Sequence, residues 1–72
     1  MDDEILGLDA EGTTIHEGDT VCILSGFYGG VRGHVKRRSG TSIYVMIGPR
    51  TGIQTEPSRV RVLHSAARLM VQ

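Results

Sequence analysis

Between residues 27 and 38 the sequence gathers two aromatic side chains and a cluster of cations: Phe27-Tyr28 on a glycine-rich segment, then Arg32, His34 and Lys36 at alternate positions, then Arg37-Arg38. Side chains two apart on an extended chain project to the same side. Arg32, His34 and Lys36 therefore share one face, while Val31, Gly33 and Val35 take the other. Arg61 repeats the arrangement further on, facing outward between Val60 and Val62. Cations spaced along a strand can neutralise phosphates, and exposed rings can stack on bases for about 1–3 kcal/mol each. The candidate nucleic-acid-binding residues are Tyr28, Arg32, His34, Lys36, Arg37, Arg38 and Arg61, with RNA expected ahead of DNA. Four neutralised phosphates would give log K a slope of about −2.8 against log salt on a single strand.

The same residues admit other readings. Charges on a strand face and hairpin tip also discourage edge-to-edge pairing of sheets. Phe27 and Tyr28, together with an exposed sheet edge, could instead grip another polypeptide, which makes them candidate protein-interaction residues. A small structural subunit of a phage or mobile-element assembly is a further alternative. Of the two rings, Tyr28 is expected to be exposed and Phe27 partly buried.

Catalysis finds little support. His16, His34 and His64 are isolated from one another, and Glu56 is the only acid after Asp19, so no second carboxylate stands nearby to divide acid and base roles. Gly26 to Gly33 has neither a Walker lysine nor a following helix start. Cys22 is the only cysteine and has no Cys or His partner at metal-ligand spacing. The expectation is a non-enzyme that uses no metal and no cofactor.

What must position the cations is a short chain. Its 72 residues, 39% hydrophobic and 22% charged, suit one globular domain and are too apolar for a wholly disordered one. The formal charge is zero, yet all eight bases follow residue 20 while seven of the eight acids precede it, so residues 1–19 carry −7 and residues 20–72 carry +7. That division reads as a basic body with an acidic tail, and the tail could fold back on the basic surface and compete with weak ligands. A lone cysteine, no apolar run long enough to cross a bilayer, and an acidic beginning unlike a signal peptide point to a cytoplasmic chain.

Residues 1–15 are read as a flexible acidic tail with little structure of its own, although Ile5, Leu6 and Leu8 could dock on the barrel or on a partner. From residue 16 to 63 the texture changes to short β-rich runs separated by glycine. Thr20 to Leu24 is a first strand with Val21 and Ile23 inward, and Ser25 to Gly30 a loop. Val31 to Arg38 is a second strand, Ser42 to Ile47 a third with Ile43, Val45 and Ile47 on one side and Tyr44 and Met46 on the other. Ile53 to Thr55 makes a fourth, Pro57 to Arg59 a helical turn, and Val60 to Leu63 a fifth. Residues 64–72 form a tail or short helix, with helical turns expected over 65–70. Five short strands, each with one apolar face, are best satisfied by closing into a small barrel.

One segment also carries a family resemblance. Gly18-Asp19-Thr20-Val21-Cys22-Ile23-Leu24-Ser25-Gly26, followed by Gly30-Val31-Arg32-Gly33-His34-Val35, resembles the KOW motif of the transcription factor NusG and of a large-subunit ribosomal protein. It covers one quarter of the chain. The resemblance implies an all-β, five-stranded SH3-like barrel that associates with RNA, the ribosome or a transcription complex, often through the loop between the first two strands. Tyr28 falls where NusG has a protein-docking aromatic residue, and Arg32 and His34 where the ribosomal member carries bases. In this fold Gly33 is expected where a side chain would collide with a crossing backbone. The type II dihydrofolate reductases are barrels of similar length, but Gly52-Ile53-Gln54-Thr55 differs from their Val-Gln-Ile-Tyr segment in order and lacks the tyrosine.

Overall fold

The chain forms short strands linked by tight turns in the computed structural model, which describes residues 4–65. In chain order these are β1 (Gly7–Leu8), β2 (Thr14–Ile15), β3 (Thr20–Ile23), β4 (Arg32–Ser39), β5 (Ser42–Met46), β6 (Gly52–Thr55) and β7 (Val60–His64), with a 3-10 turn at Pro57–Arg59 between the last two. The helical turns expected over 65–70 fall outside the described residues from residue 66 onward.

Strands β3 to β7 form one antiparallel sheet in the order β6-β5-β4-β3-β7. Each expected strand is present to within a residue or two, but the ladder does not close on itself: β6 and β7 remain the two ends of the sheet. In place of the closed five-stranded barrel the strands form an open sheet. Two irregularities interrupt its pairing, and a bulge of this kind bends its strand and increases local twist. In β4, Val35 pairs with Val45 and Arg37 with Tyr44, leaving Lys36 as the extra residue. In β7, Val62 pairs with Val21 and His64 with Thr20, leaving Leu63 as the extra residue.

The inner face is the core. Val21, Ile23, Val35, Ile43, Val45 and Val60 are buried there, with Ile47, Ile53, Val62 and Tyr28 packed around them. The two-residue period predicted most of these positions. Gly33 also behaves as expected: a Cβ would lie 2.6 Å from the Met46 carbonyl oxygen and 2.7 Å from Val45 Cγ1, so the backbone of β4 approaches β5 where only a hydrogen fits.

The acidic segment departs from expectation. Over residues 4–15 it is folded: β1 and β2 pair as a hairpin, and Leu6 (8% exposed) and Ile15 (0%) complete the core. Burying two aliphatic side chains contributes about 1.5–3 kcal/mol each; of the three residues that could dock, Leu6 does so, while Ile5 and Leu8 stay exposed. The hairpin also covers the open edge of β7, where Ala10 N–H donates to the Val60 carbonyl at 2.9 Å. On its other side Gly7 lies so close to the 3-10 turn that a Cβ there would meet Pro57 Cγ at 2.8 Å.

Asp9 fastens this hairpin. Its carboxylate is 4% exposed; Oδ1 accepts from the N–H groups of Glu11 (2.9 Å) and Thr13 (2.8 Å), and Oδ2 from Val62 N–H on the edge of β7 (2.8 Å). Burial pushes the Asp9 pKa up, but the backbone donors of Val62, Thr13 and Glu11, helped by the Arg61 charge, outweigh burial and hold it below the ordinary aspartate value. A second buried acid, Asp19 (0% exposed), accepts from His16 N–H at 2.8 Å while its own N–H donates to the His16 carbonyl at 3.1 Å, closing the turn that leads into β3.

Candidate functional site

Paired residues on neighbouring strands share a face, so the register specifies what the outer face of the sheet presents. Cys22 lies between Arg32 on β4 and Arg61 on β7. The next row along runs His64, Thr20, His34 and Met46. A third runs Arg37, Tyr44 and Gln54. Neighbouring strands stand about 4.8 Å apart, so the backbones carrying Arg32 and Arg61 are roughly 10 Å apart across Cys22. Arg32, His34, Lys36, Arg37 and Arg61 are all exposed, and none of the strands β3 to β7 carries an aspartate or glutamate. The sheet therefore presents cations without built-in counter-charges on its own strands.

Of the candidate residues, Arg32, His34, Arg37 and Arg61 are brought onto one face, and Lys36 is exposed beside them at the bulge. Arg38 is not. Simple alternation would align it with Arg32, His34 and Lys36, but the extra residue at Lys36 shifts the phase by one: Arg37 takes the outer face, and Arg38 pairs with the buried Ile43 on the inner side. At the hairpin end Arg38 escapes to solvent, with Nη2 3.9 Å from Glu4 Oε2. An exposed pair at this distance contributes little to stability.

The two rings exchange the roles expected of them. Phe27 is 92% exposed, whereas Tyr28 is half-buried and packs against the core. They meet edge to face, with centroids 4.9 Å apart and planes at 85°. The loop from Ser25 to Gly30 is held by Gly30 N–H donating to the Ile23 carbonyl (2.7 Å) and Val31 N–H to the Tyr28 carbonyl (3.0 Å). That closure turns Tyr28 inward to seal the end of a small core and leaves Phe27 at the tip.

Tyr44 is a functional candidate that the strand pattern did not single out. The Arg37 guanidinium carbon lies over its ring, 4.8 Å from the centroid. Its other neighbour is Gly52, where a Cβ would meet the ring at 2.5 Å. The ring is thus held between a cation and bare backbone, which fixes the Arg37 head group over the sheet.

Beside these rows lies a half-open cleft of about 320 Å³, lined by Thr20, Arg32, His34 and Met46 with the Ile47-Gly48 turn, and Gly33 between them. No signal in the sequence marks it, because it forms where three strands and a turn meet. Asp9 did carry a signal: an Asp followed by Gly12 and Thr13 suits a side chain that bonds to nearby backbone N–H groups in a turn.

Leu6 and Ile15 fix the acidic hairpin to the inner side and Asp9 to the edge of β7, so over residues 4–15 the expected fold-back reaches the basic surface only at its margin, where Glu4 meets Arg38 and the buried Asp9 feels the Arg61 charge. Among the described residues there is no group of three His, Cys, Asp or Glu side chains arranged to hold a metal, and no helix long and apolar enough to cross a membrane. A scan against protein-family models finds no match for this chain, and a search of curated proteins finds none either.

Proposed function

We propose that the chain is a non-catalytic nucleic-acid-binding module, with RNA as its ligand, and that its open five-stranded sheet is a variant of the SH3-like barrel that the KOW resemblance implies. The observation that carries this reading is the acid-free outer face bearing Arg32, Lys36, Arg37 and Arg61. Guanidinium groups suit phosphate because their planar fork can donate two parallel hydrogen bonds, and three of the four cations are arginines. Of the acids elsewhere in the fold, Asp9 and Asp19 are buried and hydrogen-bonded within the protein, and Glu4, Glu11, Glu17 and Glu56 lie exposed outside the five strands. The net charge of zero therefore does not describe this face.

The test is an NMR titration with a short single-stranded RNA at two salt concentrations. Amide shifts gathered on Arg32, Arg37 and Arg61, with saturation moving to higher RNA concentration as salt rises, support the reading. Silence on those rows overturns it.

One observation favours a second reading. A phenylalanine almost wholly in solvent at a loop tip suits an adaptor that inserts Phe27 into a pocket on a protein partner, as part of a transcription or translation complex. Such docking would respond weakly to salt, because it rests on apolar burial.

A further inference from the structure

We propose that the cleft beside Arg32 and His34 receives one unpaired base, which makes single-stranded rather than duplex RNA the ligand of this face; the inference rests on the RNA-binding reading above. The cleft's volume, about 320 Å³, falls at the lower end of the roughly 300–1,000 Å³ range of small-ligand sites. Its lining suits a flat, partly polar ring. Met46 offers a polarizable thioether and His34 a planar imidazole, which together can take a base by stacking, and the Thr20 hydroxyl can donate or accept at the base edge. Arg32 stands at the same cleft and in the same cross-strand row system as Arg61, so a phosphate attached to the bound nucleotide meets a cation.

No acid lines the cleft, and the strands that form it carry none, so an anionic ligand is not repelled. A duplex cannot use the site. Its bases are paired and stacked, and withdrawing one costs a few kcal/mol. A single strand presents bases without that cost and gains on the order of tenfold in affinity for one stacked base.

Gly48 provides a clean perturbation. A Cβ there meets only Thr51, at 3.7 and 3.8 Å, which is ordinary contact, and its φ is not positive. Gly48→Leu therefore adds a side chain at the cleft's rim without straining the fold. Binding of a fluorescein-labelled single-stranded RNA and of the duplex made from the same strand should be measured by anisotropy for the full chain and for this variant. The wild type is expected to prefer the single strand by roughly tenfold, and Gly48→Leu to remove that preference while leaving duplex affinity and its salt dependence unchanged.

A readout on the wild type alone guards against misfolding of the variant: the single strand, and not the duplex, should shift the Met46 methyl and Gly48 amide resonances. Preference for the single strand that survives Gly48→Leu in a folded variant, or an unshifted Met46 methyl, overturns the base-binding cleft and leaves phosphate binding standing. Absence of salt-dependent binding to either RNA overturns the RNA-binding reading and this inference with it.

Discussion

Replacing Asp9 by alanine tests how the acidic hairpin is held, and the size of the effect follows from three hydrogen bonds. Val62 N–H, on the edge of β7 under the hairpin, loses its only partner on that side, at a cost of about 1–3 kcal/mol. Glu11 and Thr13 are exposed residues whose N–H groups can turn to water, so each loss is about 0.5–1.5 kcal/mol. The total, about 2–6 kcal/mol, is comparable with the roughly 3–5 kcal/mol that a core of this size supplies. Asp9→Ala should therefore be largely unfolded at neutral pH. Asp9→Asn keeps one acceptor oxygen and should lose about half as much, lowering the urea midpoint by about 1–3 M if m is near 1 kcal/mol/M.

The pH dependence supplies a second check on the same residue. The folded carboxyl binds its proton less tightly than the unfolded one, so its stabilisation is fully present well above about pH 4 and is lost as pH falls through the lowered folded value. The gap between wild type and Asp9→Asn should accordingly narrow below about pH 4. Urea unfolding followed by circular dichroism measures both. An Asp9→Ala midpoint equal to that of the wild type at pH 7 would show that the hairpin is dispensable to the fold.

Three further outcomes are expected. Leu6→Ala should cost about 2–5 kcal/mol in the same unfolding assay, whereas a disordered tail would lose nothing. Gly33→Ala forces a methyl group against the Met46 carbonyl and should cost about 1–3 kcal/mol, visible as altered amide shifts on β4 and β5. Phe27→Ala should leave stability nearly unchanged, since the ring is in solvent, so any loss of binding to a protein partner in a pull-down would report the adaptor role directly.

The strands were legible because their apolar residues recur every second position, and Val21, Ile23, Val35, Ile43 and Val45 are all buried as that period requires. Phase was legible only up to Lys36. A bulge inserts a residue without changing composition, so Arg38 seemed aligned with Arg32 when the pairing register puts it on the other side. The hairpin was obscured for a different reason. Its two-residue strands are too short to show a period, and its acids suggested solvent, while its stability comes from long-range partners: Asp9 to Val62 and Ala10 to Val60. Phe27 and Tyr28 were interchanged because adjacent residues in a glycine-rich loop carry no facing preference until the loop's hydrogen bonds close it. The cleft depends on tertiary placement alone.

If Arg32, Lys36, Arg37 and Arg61 act together on a phosphate chain, the affinity of the full chain for a short single-stranded RNA must fall steeply across a series of salt concentrations. Four phosphate contacts predict a slope of log K against log salt of about −2.8, falling to about −2.1 in Arg61→Gln. A wild-type slope near zero, with or without binding, would mean that these four side chains do not meet phosphates.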